Sequence, residues 1–298
     1  MYLYQRIEEV LMQYNDARRS IGEFVLHERE HLQQYSMQEI ADMTFTSKAT
    51  LVRFAKTLGY KGWKEFMQAI IIEERYQDAH PSYIDVNNPF QNGDKTKEII
   101  RNISDLQIES IKDTVDLMNP DMVDAATDIL MQAKQVIIFG QRPNSIIADL
   151  FRRKMMTLRK RTELAQMGEA GIVSSMMSSE DCAIIISYSG NNEEIYPMNY
   201  VKILQDQQIP IIAITSDGEN YLREHIPCVL TMSSRERLYT KIANFATEES
   251  LQLILNVLFA SYFSRNYQAH YQFKIQHAKQ LETDRIATLN VIKEQEDG

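Results

Sequence analysis

The run Ile184-Ile185-Ile186-Ser187-Tyr188-Ser189-Gly190-Asn191-Asn192-Glu193-Glu194 passes from a short apolar block into small hydroxyls, a glycine and two amides. An apolar block bounded by turn residues predicts a buried parallel strand, and Ile195, Met198 and Ile203 beyond it predict a helix from Glu193 to Gln205. A strand–turn–helix junction gathers backbone N–H groups and the positive end of a helix dipole, which suits an anion. Ser187 and Ser189 can add hydroxyl donors, and Gly190 lets the backbone approach closely. The competing reading is an ordinary loop in which Ser and Asn serve as helix caps.

Working outward, short apolar runs alternate with helical patterns from Asn119-Pro120 onward. Strands are expected at Val136 to Phe139 (ending at Gly140), Thr162 to Ala165, Cys182 to Ile186, Ile211 to Ile214 and Cys228 to Met232. Helices are expected at Asn144 to Leu158, Gly168 to Met177, Glu193 to Gln205 and Asn244 to Phe263. Repeated strand–helix units imply an α/β domain, a parallel sheet flanked by helices on both faces. Ligands in such sheets sit beyond the carboxyl ends of the strands. Gly140 to Ser145, Ser187 to Asn192 and Thr215-Ser216 all fall at such ends, so the three loops are expected to line one crevice.

The first 76 or so residues read as all helix. Ile7, Val10, Leu11 and Tyr14 mark one helical face; Ile21, Phe24, Val25 and Leu32 mark a second. Ser36 with Glu39 is a capping box that opens a short helix. A cap at Thr46 or Ser47 opens another, with Leu51, Phe54, Ala55 and Leu58 on its inner face and Gly59 as its stop. Two short helices joined by a few residues fit a helix-turn-helix. Turn signals from Gln77 to Asp94 make a linker, and from Lys95 a long helix carries Ile99, Ile103, Leu106 and Ile111, a candidate dimerisation element.

Charge separates the helical segment from a plain bundle. From Met43 to Lys64 there are five basic residues, Lys48, Arg53, Lys56, Lys61 and Lys64, and no acidic one. That local +5 leaves −14 for the remainder of a chain whose net charge is −9. A basic patch in an acidic protein is the footprint of a DNA reader, although a solvated basic helix face is the plain alternative. Lys48 and Arg53 lie by the face that the apolar stripe leaves free, and Ser47, Ala49 and Thr50 are small enough to bring the helix start against base edges and phosphate.

The 298 residues suffice for two domains, and 44% hydrophobic with 24% charged residues is ordinary for a soluble protein. No apolar run approaches the ~20 residues of a membrane span, and the charged first 19 residues contain no signal-peptide core. Cys182 and Cys228 sit in apolar runs and read as buried thiols of a cytoplasmic protein rather than a disulfide. The six histidines show no metal-ligand spacing, so neither a metal nor another cofactor is expected.

The run from Thr46 to Trp63 resembles the RpiR-type transcription regulators. Ser47-x-x-Thr50-Leu51-Val52-Arg53-Phe54, followed by Leu58-Gly59-Tyr60-x-Gly62-Trp63, carries every element of that family's helix-turn-helix pattern. The resemblance implies that the helix beginning near Ser47 reads DNA, through Ser47, Lys48, Ala49, Thr50, Arg53, Lys56 and Lys61. Tyr60 and Trp63 are expected to pack the next helix, Lys64 to Tyr76, against it. The second half resembles the sugar isomerase (SIS) domain, whose Ser-x-Ser-Gly phosphate loop matches Ser187-Tyr188-Ser189-Gly190. That likeness implies a phosphorylated sugar held by Ser187, Ser189, Gly190, Asn191 and Asn192, with Gly140, Asn144 and Ser145 alongside.

Two positions depart from the SIS pattern. Asn192 stands where Thr is frequent, and Gly140-Gln141-Arg142-Pro143-Asn144-Ser145 replaces a Gly-x-Gly-x-Ser loop. Arg142 is either an extra anion ligand or a surface charge that spoils the usual pocket; the expectation is a working pocket with altered selectivity.

Together these readings give a DNA-binding transcription regulator controlled by a sugar phosphate, not an enzyme. It is expected to act as a homodimer or homotetramer on a double-stranded operator, with no membrane partner. Expected boundaries are 1–76 for the helix-turn-helix domain, 77–107 for the linker and connecting helix, 108–285 for the SIS domain and 286–298 for a tail. The alternative is a sugar-phosphate isomerase, for which Glu248 and Glu249 are the candidate bases, although both equally suit the first turn of a helix.

Overall fold

Five amphipathic helices build the N-terminal unit: α1 (Leu3–Gln13), α2 (Ala17–His27), α3 (Met37–Met43), α4 (Lys48–Thr57) and α5 (Trp63–Ala79). The structure is a computed structural model; it describes residues 3–79, 84–218, 220–233, 235–237 and 240–281, so the expected tail 286–298 lies outside the described residues. Ile7, Ile21, Val25, Ile40, Leu51, Phe54 and Phe66 are fully buried between these helices. Leu32 joins that core, but from a separate 3-10 segment, Arg29–Gln34, rather than from the second helix.

The Ser36 capping box forms: the Glu39 N–H donates to Ser36 Oγ at 3.2 Å and the Ser36 N–H donates to Glu39 Oε2 at 2.7 Å. Ser47, not Thr46, caps α4, accepting from the Thr50 N–H at 3.2 Å. Gly59 takes a φ of +87° just beyond α4, a conformation that glycine adopts without steric cost. Tyr60 and Trp63 lie with ring centroids 5.7 and 5.0 Å from that of Phe66, whose own ring meets Phe54 of α4 at 5.7 Å.

The turn between α3 and α4 holds Phe45 at a φ of +53°, with its side chain 96% exposed. The left-handed conformation costs an L-residue about 1–2 kcal/mol, and an exposed ring gains nothing back by burial. Phe45→Gly is therefore expected to raise stability by roughly 0.5–1 kcal/mol, the strain relief outweighing the extra unfolded-state freedom of glycine. Thermal unfolding of the variant checks this, and a lowered Tm would show that Phe45 holds contacts that its exposure does not reveal.

The second unit alternates strand and helix. In order come α6 (Thr96–Leu117), α7 (Pro120–Gln132), β1 (Gln135–Gly140), α8 (Asn144–Met156), β2 (Arg161–Ala165), α9 (Ala170–Met176), β3 (Cys182–Ile186), α10 (Val201–Asp206), β4 (Ile211–Ser216), α11 (Tyr221–His225), β5 (Cys228–Met232), α12 (Phe245–Arg265) and α13 (Tyr267–Leu281). All neighbouring strands pair in parallel, in the order β2-β1-β3-β4-β5. Alternate residues of the central strands face opposite cores. Ile138, Ile184, Ile186 and Ile212 pack under α7, α8 and α12; Phe139, Ala183, Ile185 and Ala213 pack under α9, α10 and α11.

One expectation fails here. The helix expected from Glu193 begins only at Val201, behind a 3-10 segment at Met198–Tyr200. Pro197 explains the delay, since it has no N–H to give to a helix and disfavours helical backbone at the residue before it. On α6, the buried positions are Leu106, Ser110, Asp113 and Thr114, whereas Ile99 and Ile103 are half-buried and Ile111 is exposed. The polar members of that inner face have partners: Thr114 donates to Ser250 on α12 at 2.7 Å, and Asp113 pairs with Arg235 at 2.8 Å. Helix α13, which follows a break at Asn266, was not anticipated as a separate element.

Candidate functional site

Strand β1 feeds β2 on one side of the sheet while β3 opens the other side, so the strand order reverses between β1 and β3. Such a switch point leaves a crevice beyond the carboxyl ends of the strands. Gly140 pairs in register with Ile186, which sets Gly140 to Ser145 and Ser187 to Asn192 side by side there. The third loop joins them: the Ser187 N–H donates to Ile214 O at 3.1 Å, and the Ser216 N–H donates to Tyr188 O at 3.2 Å. The three expected loops thus share one crevice.

The loop after β3 is a tight turn. The Gly190 N–H donates to Ser187 Oγ at 3.2 Å, which leaves the Ser187 hydroxyl proton to be donated outward. Gly190 has a φ of +63°, and a Cβ on it would lie 2.7 Å from both Thr215 Oγ1 and Asn220 Oδ1, so no larger residue fits. Asn191 Oδ1 accepts from the Tyr221 N–H at 3.2 Å and Asn192 Oδ1 accepts from the Glu194 N–H at 3.1 Å. Both contacts turn the amide oxygens inward and leave the NH₂ groups as the groups able to meet an anion. Ser189 is half-buried.

The positive helix end expected directly after this loop is absent, because α10 starts beyond Pro197. The helix that opens beside the loop is α8, with Asn144 and Ser145 as its first two residues. Gly140 offers no free donor. Its N–H donates to Tyr196 Oη at 3.2 Å, and a Cβ on it would meet Ile186 Cβ and Asn144 Cβ at the ordinary contact distances of 3.5 and 3.9 Å. Arg142 is exposed at the rim.

Two residues that sequence reasoning missed hold the crevice together. Buried Tyr196 receives the Gly140 N–H and donates its hydroxyl to Ala165 O, joining the ends of β1 and β2. Burial raises the Tyr196 phenol above its ordinary pKa. Asn220, also buried, donates to Ser216 O at 3.3 Å and accepts from the Arg223 N–H at 3.1 Å, so it caps α11 against the loop. A signal for Tyr196 existed in the Tyr196-Pro197 pair inside an otherwise helical run; nothing distinguished Asn220 from an ordinary cap.

Beside this crevice a cleft of about 340 Å³ separates the two units. Asn191, Asn220 and Tyr221 line one wall; Tyr14, Leu58 and Gly59, the last two at the end of α4, line the other.

On α4, Leu51, Phe54 and Ala55 face inward, and Ser47, Lys48, Ala49, Arg53 and Lys56 are exposed on the opposite side. Thr50 is half-buried and accepts from Arg53 Nη2 at 3.1 Å, which steadies the guanidinium while leaving its other N–H groups outward. Lys61 is exposed in the following turn, where its backbone N–H donates to Glu65. The sequence-predicted basic residues Lys48, Arg53, Lys56 and Lys61 are therefore all exposed, on α4 and the turn that follows it.

Other chemistries find less footing among the described residues. Burial pushes the Cys182 thiol up to about 12 and the Cys228 thiol up to about 11, far from the thiolate that nucleophilic work requires. No cluster of metal-ligating side chains occurs among the described residues, and no described helix is long and apolar enough to cross a membrane.

Comparison with known proteins gives a consistent picture. The family model for the helix-turn-helix domain of the rpiR family matches residues 1–76, and that for the SIS domain matches residues 129–262. An uncharacterized HTH-type transcriptional regulator of Providencia stuartii is 23% identical over 264 residues, covering 88% of this chain and 91% of its own length. The HTH-type transcriptional regulator HexR of Pseudomonas aeruginosa is 22% identical over 232 residues, covering 76% and 78%. Among solved structures, the Vibrio vulnificus NanR protein complexed with ManNAc-6P superposes with a TM-score of 0.59 at 19% identity, covering 95% of this chain and all of that one.

Proposed function

The chain belongs to the RpiR-type transcription regulators, a helix-turn-helix domain joined to a SIS domain, and on that premise we propose that its operator affinity is set by a phosphorylated sugar bound at Ser187 to Asn192. The observation that carries this reading is the turn closed by Gly190 beyond β3, at the switch point of the sheet, in a chain whose other half exposes Lys48, Arg53 and Lys56 on one helix face. That the Vibrio NanR protein was solved with a sugar phosphate supports the choice of ligand class.

Each residue has a role in this reading. Ser187, Ser189 and the Asn191 and Asn192 amides donate to the phosphate, Asn144 and Ser145 approach from α8, Gly190 closes the turn and Gly140 lies alongside. Ser47, Lys48, Ala49, Thr50, Arg53, Lys56 and Lys61 form the DNA surface. The cleft between Asn191 and the end of α4 supports a short route between the sites, because a ligand at the loop reaches the wall that Leu58 and Gly59 build. An effector shifts an equilibrium only by its differential affinity for two states, and a group bridging this cleft supplies such a difference.

We take the domains as 1–76, 77–107, 108–285 and 286–298. The protein works where DNA is, in the cytoplasm, as a homodimer or homotetramer, because symmetric pairs place two readers about 34–36 Å apart on a palindromic site. The isomerase alternative has weaker support. Glu249 accepts from Gln107 on α6 at 2.7 Å. The start of α12, which carries both carboxylates, is tied by Ser250 to the end of β5, two strands from β3 and so about 10 Å across the sheet. A general base must reach the proton it takes.

A screen of sugar phosphates by thermal shift tests the proposal. A ligand at 100 times its dissociation constant should add about 2.7 kcal/mol of stability and should change operator binding in the same preparation. A panel that neither stabilises the protein nor alters operator binding counts against the site, and turnover of any sugar phosphate counts against the regulator reading.

A further inference from the structure

Helix α6 buries one face against α12 and leaves the opposite face open. Ile100, Ile108, Ile111 and Val115 on that outer face are 62%, 49%, 38% and 56% exposed. With the small, exposed Ser104 they recur at intervals of three and four, so they form one continuous apolar row along the helix. Beside it runs a charged row, also exposed: Arg101, Asp105, Lys112 and Asp116. Glu109 lies a further step round the helix and is half-buried.

The order of charge in that row is the informative feature. In an antiparallel pair of identical helices related by a two-fold axis, each flanking row faces its own copy read backwards. About a centre between Ile108 and Glu109, Arg101 stands as far before it as Asp116 stands after, and Asp105 as far before as Lys112 after. Reversal therefore sets plus against minus at every position of the row. A parallel pairing would turn this row toward the opposite flank of the partner helix and so would lose these opposite-charge pairs. A groove of about 520 Å³ runs along the same row, lined by Arg101, Asp105, Ile108 and Lys112 and walled on one side by Ile84 of the preceding segment.

From this self-complementarity we infer that the outer face of α6 is the seam along which two copies of this chain pair, antiparallel, with Asp105 against Lys112 of the partner subunit and Arg101 against Asp116 of the partner subunit. The inference rests on the dimer reading above and adds the surface, the direction and the register. The contact runs about 23 Å along the helix from Arg101 to Asp116. Ile108 lies next to the axis, where two copies meet.

The test uses the full chain in two single variants, Asp105→Lys and Lys112→Glu, with self-association followed by sedimentation. Both positions are exposed, and circular dichroism verifies that the helix content is kept. Each variant alone places like charges opposite each other twice per dimer and should weaken self-association by roughly tenfold or more. An equimolar mixture should regain the parent affinity, because the introduced lysine of one variant then meets the introduced glutamate of the other and the remaining wild-type pair is intact. Ile108→Lys should weaken association in the same way, and mixing should not rescue it. Variants that self-associate like the parent overturn the α6 seam while leaving the dimer in place. Weakened variants that do not recover on mixing overturn it too, since a purely structural effect shows no rescue. A parent chain that is monomeric at tens of micromolar overturns the dimer reading itself, whereas effector binding and operator response are measured independently of either.

Discussion

Replacing Lys48, Arg53 and Lys56 together by alanine is expected to weaken operator binding by on the order of a thousandfold while leaving the fold and the effector response of the SIS domain intact. The three side chains are exposed on the face of α4 opposite Leu51, Phe54 and Ala55, so their loss removes no core contact. Two lysines that neutralise phosphates should each lower the salt slope of binding by about 1, so the triple variant should show a visibly flatter dependence on salt. Arg53 differs from them. Its guanidinium is held by Thr50 Oγ1, and a steadied Arg with donors left over suits the O6 and N7 acceptors of a guanine. Loss of such a contact costs about 1–3 kcal/mol and relaxes specificity at one base pair, whereas loss of a lysine weakens binding to all sequences alike. Titrating parent, single and triple variants against the operator and against unrelated DNA at several salt concentrations separates these contributions. An operator affinity unchanged in a folded triple variant would move the DNA surface elsewhere.

How far the sequence led can be judged residue by residue. The strands Cys182 to Ile186 and Cys228 to Met232 were legible to their last residue, because a continuous apolar run bounded by turn residues has few other folds open to it. The Ser36 box was legible, and the cap of α4 was legible to within one residue, Thr46 or Ser47, because local hydrogen bonds carry the signal. The start of α10 was not, since Ile195, Met198 and Ile203 keep a helical spacing straight through Pro197, and periodicity outvoted a residue that forbids the helix there. Which face of α6 packs inward was not legible for a different reason. Its buried positions are mostly polar, and only Ser250 on α12 and Arg235 before it show that Thr114 and Asp113 have partners; the isoleucines left outside then point to another surface. For Tyr196 the Tyr196-Pro197 pair marked only a break in the helical run; its role depends on which strands lie beside it.

The same distinction shapes what to expect of the phosphate loop. The double variant Ser187→Ala, Ser189→Ala should weaken the sugar phosphate by on the order of a thousandfold, since a hydrogen bond to a charged group contributes about 1.5–3 kcal/mol and two are removed. The single variants should not behave alike. Ser187 Oγ also receives the Gly190 N–H, so Ser187→Ala opens the turn and should lower stability by roughly 0.5–1.5 kcal/mol even without ligand. Ser189 serves the ligand alone in this reading, so Ser189→Ala should leave the unliganded Tm unchanged. Both should keep operator binding, because the proposed DNA surface lies on α4, and both should lose its response to the sugar phosphate. Calorimetry with the phosphorylated and the unphosphorylated sugar is the decisive measurement. The parent should prefer the ester strongly, and the double variant should bind the two almost equally, because what it lacks are donors to the phosphate. If the double variant still holds the ester as tightly as the parent does, the anion sits elsewhere in the crevice, and Asn144 and Ser145 at the start of α8 become the residues to replace next.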